Sequence, residues 1–116
     1  AWCGTWNVLT DFYEFYPPLQ KQLQWLTGSK DDAEAREKLA KFTLEGVADK
    51  IRVPVYVMHG TRDVIMDVNG ARRFVQALTV DDVTADIYDG AGSLHCSYDY
   101  LAVAMARLTD WFTHKL

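Results

Sequence analysis

The stretch Val53-Pro54-Val55-Tyr56-Val57-Met58-His59-Gly60-Thr61-Arg62-Asp63 decides the fold. Its first eight residues form a short, nearly continuous apolar run, the pattern of a strand covered on both faces, and Pro54 fits only near the start of such a strand. Beyond it, Val68, Ala71, Phe74, Val75 and Leu78 recur at helical spacing. Thr84 to Tyr88 reads as a second, shorter strand ending at Asp89-Gly90-Ala91-Gly92. Leu101, Met105, Leu108 and Phe112 then mark an amphipathic helix running almost to Leu116. Strand, helix, strand, helix is an α/β order and predicts a parallel pair joined by a crossover helix.

Working backwards, the soft boundary falls near residues 43–50. Residues 51–116 are read as the strand–helix–strand–helix core, and residues 1–50 as a mostly helical segment that follows a sheet strand and forms a cap or pocket wall. Pro17-Pro18 suits a helix start, Leu19, Leu23 and Leu26 with Trp25 beside them give one apolar stripe, and Gly28 ends it. Ser29 to Phe42 is a charged helix that Asp31 or Ser29 can cap, with acidic residues in its first turn. Residues 1–16 carry Trp2, Trp6, Phe12, Tyr13, Phe15 and Tyr16 without a clean period. Ala1-Trp2-Cys3-Gly4 has no initiator Met and reads as the end of a buried strand entering a loop. The chain is therefore expected to start inside a larger domain, and two strands alone to leave it marginally stable.

Composition narrows the function classes. The 116 residues suffice for one small domain, and 49% are hydrophobic, which is globular rather than disordered. A net charge of -4 with scattered basic residues argues against nucleic acid, since phosphates reward clustered Lys and Arg. No apolar run approaches the roughly 20 residues that span a bilayer, so no membrane partner is expected. Cys3 and Cys96 are far apart and belong to no C-x-x-C pair, so neither a disulfide framework nor a metal site is expected, and the cytoplasm is the default compartment.

In α/β domains the chemistry gathers in loops past the carboxyl ends of the strands. One such loop holds Asp63 and the other His95. A carboxylate that accepts from one imidazole nitrogen fixes the tautomer and leaves the other nitrogen free as a base. Their order and their separation of roughly thirty residues suit the Ser, Asp, His order of hydrolases. Asp63 and His95 are the candidate catalytic residues. The sequence has no G-x-S-x-G, and Ser29, Ser93 and Ser97 lack the glycine context and strand-to-helix elbow of a nucleophile, so the serine is expected upstream of Ala1. His59 is expected to be structural, His114 to lie on the surface, Asp67 to cap the helix at Val68, and Asp99 to add charge to a helical first turn. Arg62 is either an exposed loop residue or a substrate contact. Cys96, adjacent to His95, is expected to pack away from it.

These residues resemble a known family. Val53 to Asp63 is similar to the acid-bearing strand and loop of α/β-hydrolases, and Asp89-Gly90-Ala91-Gly92-Ser93-Leu94-His95 to their histidine loop. Phe42-Thr43-Leu44-Glu45-Gly46-Val47 and His95-Cys96 resemble the branch of fungal pigment-polyketide-shortening hydrolases and the 2,6-dihydroxypseudooxynicotine hydrolase, near the fermentation-respiration-switch esterases. The resemblance implies the C-terminal part of an α/β-hydrolase fold, lacking the N-terminal half and the nucleophile elbow. It implies a serine hydrolase acting on an ester, or on a carbon–carbon bond next to a ketone, in which Asp63 orients His95. A small acyl or aryl-ketone substrate and no cofactor are implied with it. Gly4-Thr5-Trp6-Asn7 stands where some members carry an extra carboxylate, and Ser93-Leu94 separates the last glycine from the histidine. The alternative is a truncated, non-catalytic hydrolase-fold module with a structural or partner-binding role.

Overall fold

The computed structural model describes residues 1–115. Four α-helices and two strands follow in the order α1 (Gln20–Leu26), α2 (Asp32–Leu39), β1 (Val55–Gly60), α3 (Val68–Ala77), β2 (Val83–Tyr88) and α4 (Leu101–Lys115). The strands pair in parallel, from Val55 opposite Val83 to Gly60 opposite Tyr88, with α3 as the crossover. Ala1 to Cys3 runs parallel to β1 as well. Trp2 bridges Met58, the Met58 N–H donates to the Ala1 carbonyl (2.8 Å), and the Cys3 N–H donates to the Met58 carbonyl (2.9 Å). The irregular aromatic start therefore holds a short extended segment beside the apolar strand.

All six residues of β1 are buried, and their alternation explains the layers. Val55 and Val57 meet Ala48, Ala71 and Phe74, so α3 covers one face. Tyr56 and Met58 meet Ala104, with Trp2, Tyr88, Leu108 and Trp111 packed against them, so α4 covers the other. Burying a side chain such as Phe74 in this way contributes about 1.5–3 kcal/mol.

The packed face of α4 matches the expected one only at Leu108. Leu101, Met105 and Phe112 are exposed, whereas Ala104 is fully buried. The small Ala104 lets the helix approach the strand, and Trp111 stacks on Tyr56 at 5.6 Å between ring centroids. The Trp111 indole also donates to Thr84 Oγ1 (3.1 Å). Reading apolar spacing alone favours long side chains and overlooks an alanine that sets helix-to-sheet distance. The expected end of this helix at Leu116 lies outside the described residues.

Residues before β1 pack around a second centre. Tyr13, Ala35 and Leu39 are buried there with Val8, Leu9 and Leu23 against them. The Tyr13 hydroxyl donates to Asp32 Oδ1 and accepts from Gln24 Nε2, both at 2.7 Å. Asp31 caps α2 by accepting from the Glu34 N–H (2.9 Å). A turn of 3₁₀ helix at Pro17–Leu19 leads into α1, and of its apolar stripe only Leu23 joins this centre, while Trp25 is 83% exposed and Leu26 71%. Leu9–Tyr13 forms a π-helical turn that no period in the sequence marks.

Asp11, in that turn, joins the two centres. Its carboxylate is fully buried and accepts from the N–H groups of Trp6 (2.7 Å) and Asn7 (3.0 Å), from the Thr10 hydroxyl (2.8 Å) and from Arg73 of α3. A Cβ at Gly70 would sit 2.3 Å from Asp11 Oδ2, so only glycine lets α3 come this close. The Asp11 carbonyl accepts from the Asp67 N–H (3.0 Å), at the end of the loop that follows β1.

Candidate active site

The loop after β1 is short and bonded to itself. The Asp63 carboxylate is buried, and its Oδ1 accepts from the N–H groups of Ile65 (2.8 Å) and Met66 (2.9 Å). Its Oδ2 accepts from His95 Nδ1 at 2.8 Å. His59, fully buried at the end of β1, places Nε2 3.1 Å from the Met66 carbonyl and 3.4 Å from Asp63 Oδ2, so it supports the loop from beneath. Asp67 caps α3 by accepting from the Asn69 N–H (2.9 Å) and takes no part in the pair. The other expected minor roles are mixed. His114 lies exposed on α4, and Asp99 accepts from the Gly92 N–H (2.9 Å), bracing the glycine loop.

The loop after β2 is stitched to the end of β1. The Thr61 N–H donates to the Tyr88 carbonyl and the Arg62 N–H to the Ser93 carbonyl, each at 2.9 Å, and Thr61 Oγ1 donates to Asp89 (3.0 Å). Gly60 makes this possible, because a Cβ there would lie 2.1 Å from the Ser93 carbonyl oxygen. The obstacle is backbone, so it cannot swing aside. Gly60→Ala is expected to cost about 1–3 kcal/mol by overpacking, read as a lowered urea midpoint. An unchanged midpoint would contradict the close approach described here.

Burial by itself raises the pKa of the Asp63 carboxyl, but the Met66 N–H, His95 and the Ile65 N–H together outweigh it and hold the group below its ordinary 3.8. A depressed carboxylate pKa stabilises the fold above the unfolded value, and that share is lost as pH falls from 3.8 through the folded value. The melting temperature of the protein is thus expected to fall more steeply below pH 3.8 than that of Asp63→Asn. Parallel melting curves for the two over that range would refute it.

Cys96 does not pack away as expected. Its backbone and that of Ser97 take left-handed conformations, with φ of 51° and 50°, and the thiol turns back to lie 3.4 Å from His95 Nε2. The Cys96 N–H donates to Cys3 Sγ (3.0 Å). Burial pushes the Cys3 thiol above its ordinary pKa. Left-handed backbone at a non-glycine residue has no signature that the sequence could have given. Ser93 and Ser97 are buried, and their hydroxyls have no hydrogen-bond partner among the described residues. A groove of about 500 Å³ is lined by Val8, Leu23, Leu26, Leu39 and Phe42 among others and includes neither Asp63 nor His95. No described helix is long and apolar enough to cross a membrane.

The model of a family of α/β-hydrolases, the serine aminopeptidases S33, matches residues 37–95, which is half of the chain and includes both Asp63 and His95. The chain belongs to this family. A sequence comparison with curated proteins gave no match. The crystal structure of the 2,6-dihydroxy-pseudo-oxynicotine hydrolase superposes with a TM-score of 0.82 at 20% identity, covering 99% of this chain and 32% of that one. At that identity the likeness is one of fold. The S33 chain thus spans about a third of the length of that solved structure, and its parallel strands and covering helices match that part of the hydrolase fold.

Proposed function

We propose that Asp63 and His95 are the acid and base of a serine-hydrolase triad whose nucleophile is supplied by residues outside these 116. The observation that carries this is the 2.8 Å bond between His95 Nδ1 and Asp63 Oδ2, formed by the loops that follow two adjacent parallel strands. His95 keeps 29% of its side chain exposed while Asp63 is covered, as a base and its orienting acid require. In this scheme Nε2 takes the proton of a serine hydroxyl as the oxygen attacks the substrate carbonyl. Asp63 stabilises the imidazolium, which then protonates the leaving group, and His95 next activates water to free the serine.

The substrate class that fits is a small acyl or aryl-ketone compound, cleaved at an ester or at a carbon–carbon bond next to the ketone. Support comes from the family, and from the fold shared with a hydrolase of 2,6-dihydroxy-pseudo-oxynicotine. The two free thiols suit a reducing compartment such as the cytoplasm.

A second reading is a hydrolase-fold module without catalysis of its own. It is favoured by the sulfur of Cys96, which lies 3.4 Å from His95 Nε2. Treating the protein from its native source with a fluorophosphonate and taking one intact mass spectrum separates the two. A labelled chain heavier than these 116 residues supports the triad. An unlabelled chain of this mass overturns it in favour of the module.

A further inference from the structure

We propose that Cys3, His95 and Cys96 form a binding site for Zn²⁺, with the two sulfurs and His95 Nε2 as its ligands. Their ligand atoms already lie within 4.8 Å of one another. A tetrahedral zinc ion with Zn–S near 2.3 Å and Zn–N near 2.0–2.1 Å holds such atoms about 3.5–3.8 Å apart, so closing the site asks for small side-chain shifts. The pair Cys96 Sγ and His95 Nε2, at 3.4 Å, is already near that separation.

The surroundings suit a metal as well as the ligands do. A zinc-bound imidazole is ordinarily oriented by a carboxylate on its other nitrogen, and Asp63 makes that bond to Nδ1 at 2.8 Å. The tautomer that presents a lone pair at Nε2 is thereby fixed. Two thiolates and a neutral imidazole balance the charge of a divalent cation. On binding, each thiol passes its proton to solvent and the metal keeps its oxidation state. His95 keeps 29% of its side chain exposed, so the trio is reached from that side in this chain. A neighbouring group, Cys3 with His59 and Asp63, is entirely buried. There His59 Nε2 already faces the Met66 carbonyl and both Asp63 oxygens are engaged by donors, which leaves the more open trio as the site.

Bound zinc would occupy the lone pair that a general base needs, so an occupied site and a working His95 would exclude each other. That consequence alone rests on the triad reading, whereas the binding does not.

The test uses the full chain under a phosphine reductant, titrated with Co²⁺ as a spectroscopic stand-in. One equivalent is expected to give an intense thiolate-to-cobalt charge-transfer band with tetrahedral d–d bands, all removed by Zn²⁺. The charge-transfer band is expected to fall by about half in Cys96→Ser. The same fall is expected in Cys3→Ser, and in the unmutated chain one equivalent of Zn²⁺ is expected to slow alkylation of the more accessible Cys96 by about tenfold or more, located by peptide mass. Absence of the band, a band unchanged in Cys96→Ser or in Cys3→Ser, or no protection of Cys96 would overturn the site. None of these readouts involves hydrolysis, so they stand or fall separately from the triad.

Discussion

Replacing His95 by alanine in the protein that holds the nucleophile is expected to lower kcat/KM on a chromogenic ester by on the order of 10³-fold or more, and Asp63→Ala to do nearly as much. The two losses are large for different reasons. Without His95 no group is placed to take the serine proton. Without Asp63 the imidazole remains, but the bond at 2.8 Å that selects its tautomer and offsets its positive charge is gone. The double variant should be scarcely worse than His95→Ala, because residues that act as a unit are not additive. Melting curves of each variant separate this from unfolding. If Asp63→Ala kept activity within about tenfold of the parent, the carboxylate would be a loop-former only, holding Ile65 and Met66.

Asp11→Ala is expected to be the most destabilising single change outside the strands, costing about 3–5 kcal/mol in urea unfolding. The figure comes mainly from the backbone. The N–H groups of Trp6 and Asn7, both partly buried, lose the acceptor they share, and a donor left without a partner costs up to about 1–3 kcal/mol. Arg73 is 45% exposed and can turn to water, so its ion pair adds little. A loss under about 1 kcal/mol would mean that the π-helical turn rearranges to satisfy those groups elsewhere.

Much of this fold could be read from residues in line. The apolar run before Asp63 and the helical spacing from Val68 gave a parallel pair with a crossover, because periodicity reports directly which faces are covered. Asp63 and His95 could be singled out because a parallel strand order places successive loops at one edge. What stayed hidden depends on contacts between distant residues. Cys3 and Cys96 are 93 positions apart, and spacing rules for metal sites see only near neighbours. The joint between Asp11, Gly70 and Arg73 spans 62 positions and includes a glycine that looks like an ordinary helix weakness. On the packed face of α4 only Leu108 could be read, and Ala104 was overlooked because it works by being small.

The stitches between Thr61 and Tyr88, and between Arg62 and Ser93, govern motion as well as position. Asp63 and His95 sit on two loops that are bonded directly to each other. Movements of α1 or α2 can therefore displace the pair together without altering the distance within it. A pair whose separation is set locally tolerates drift in the rest of the chain, including changes of sequence there, so long as the bare backbone at Gly60 is kept.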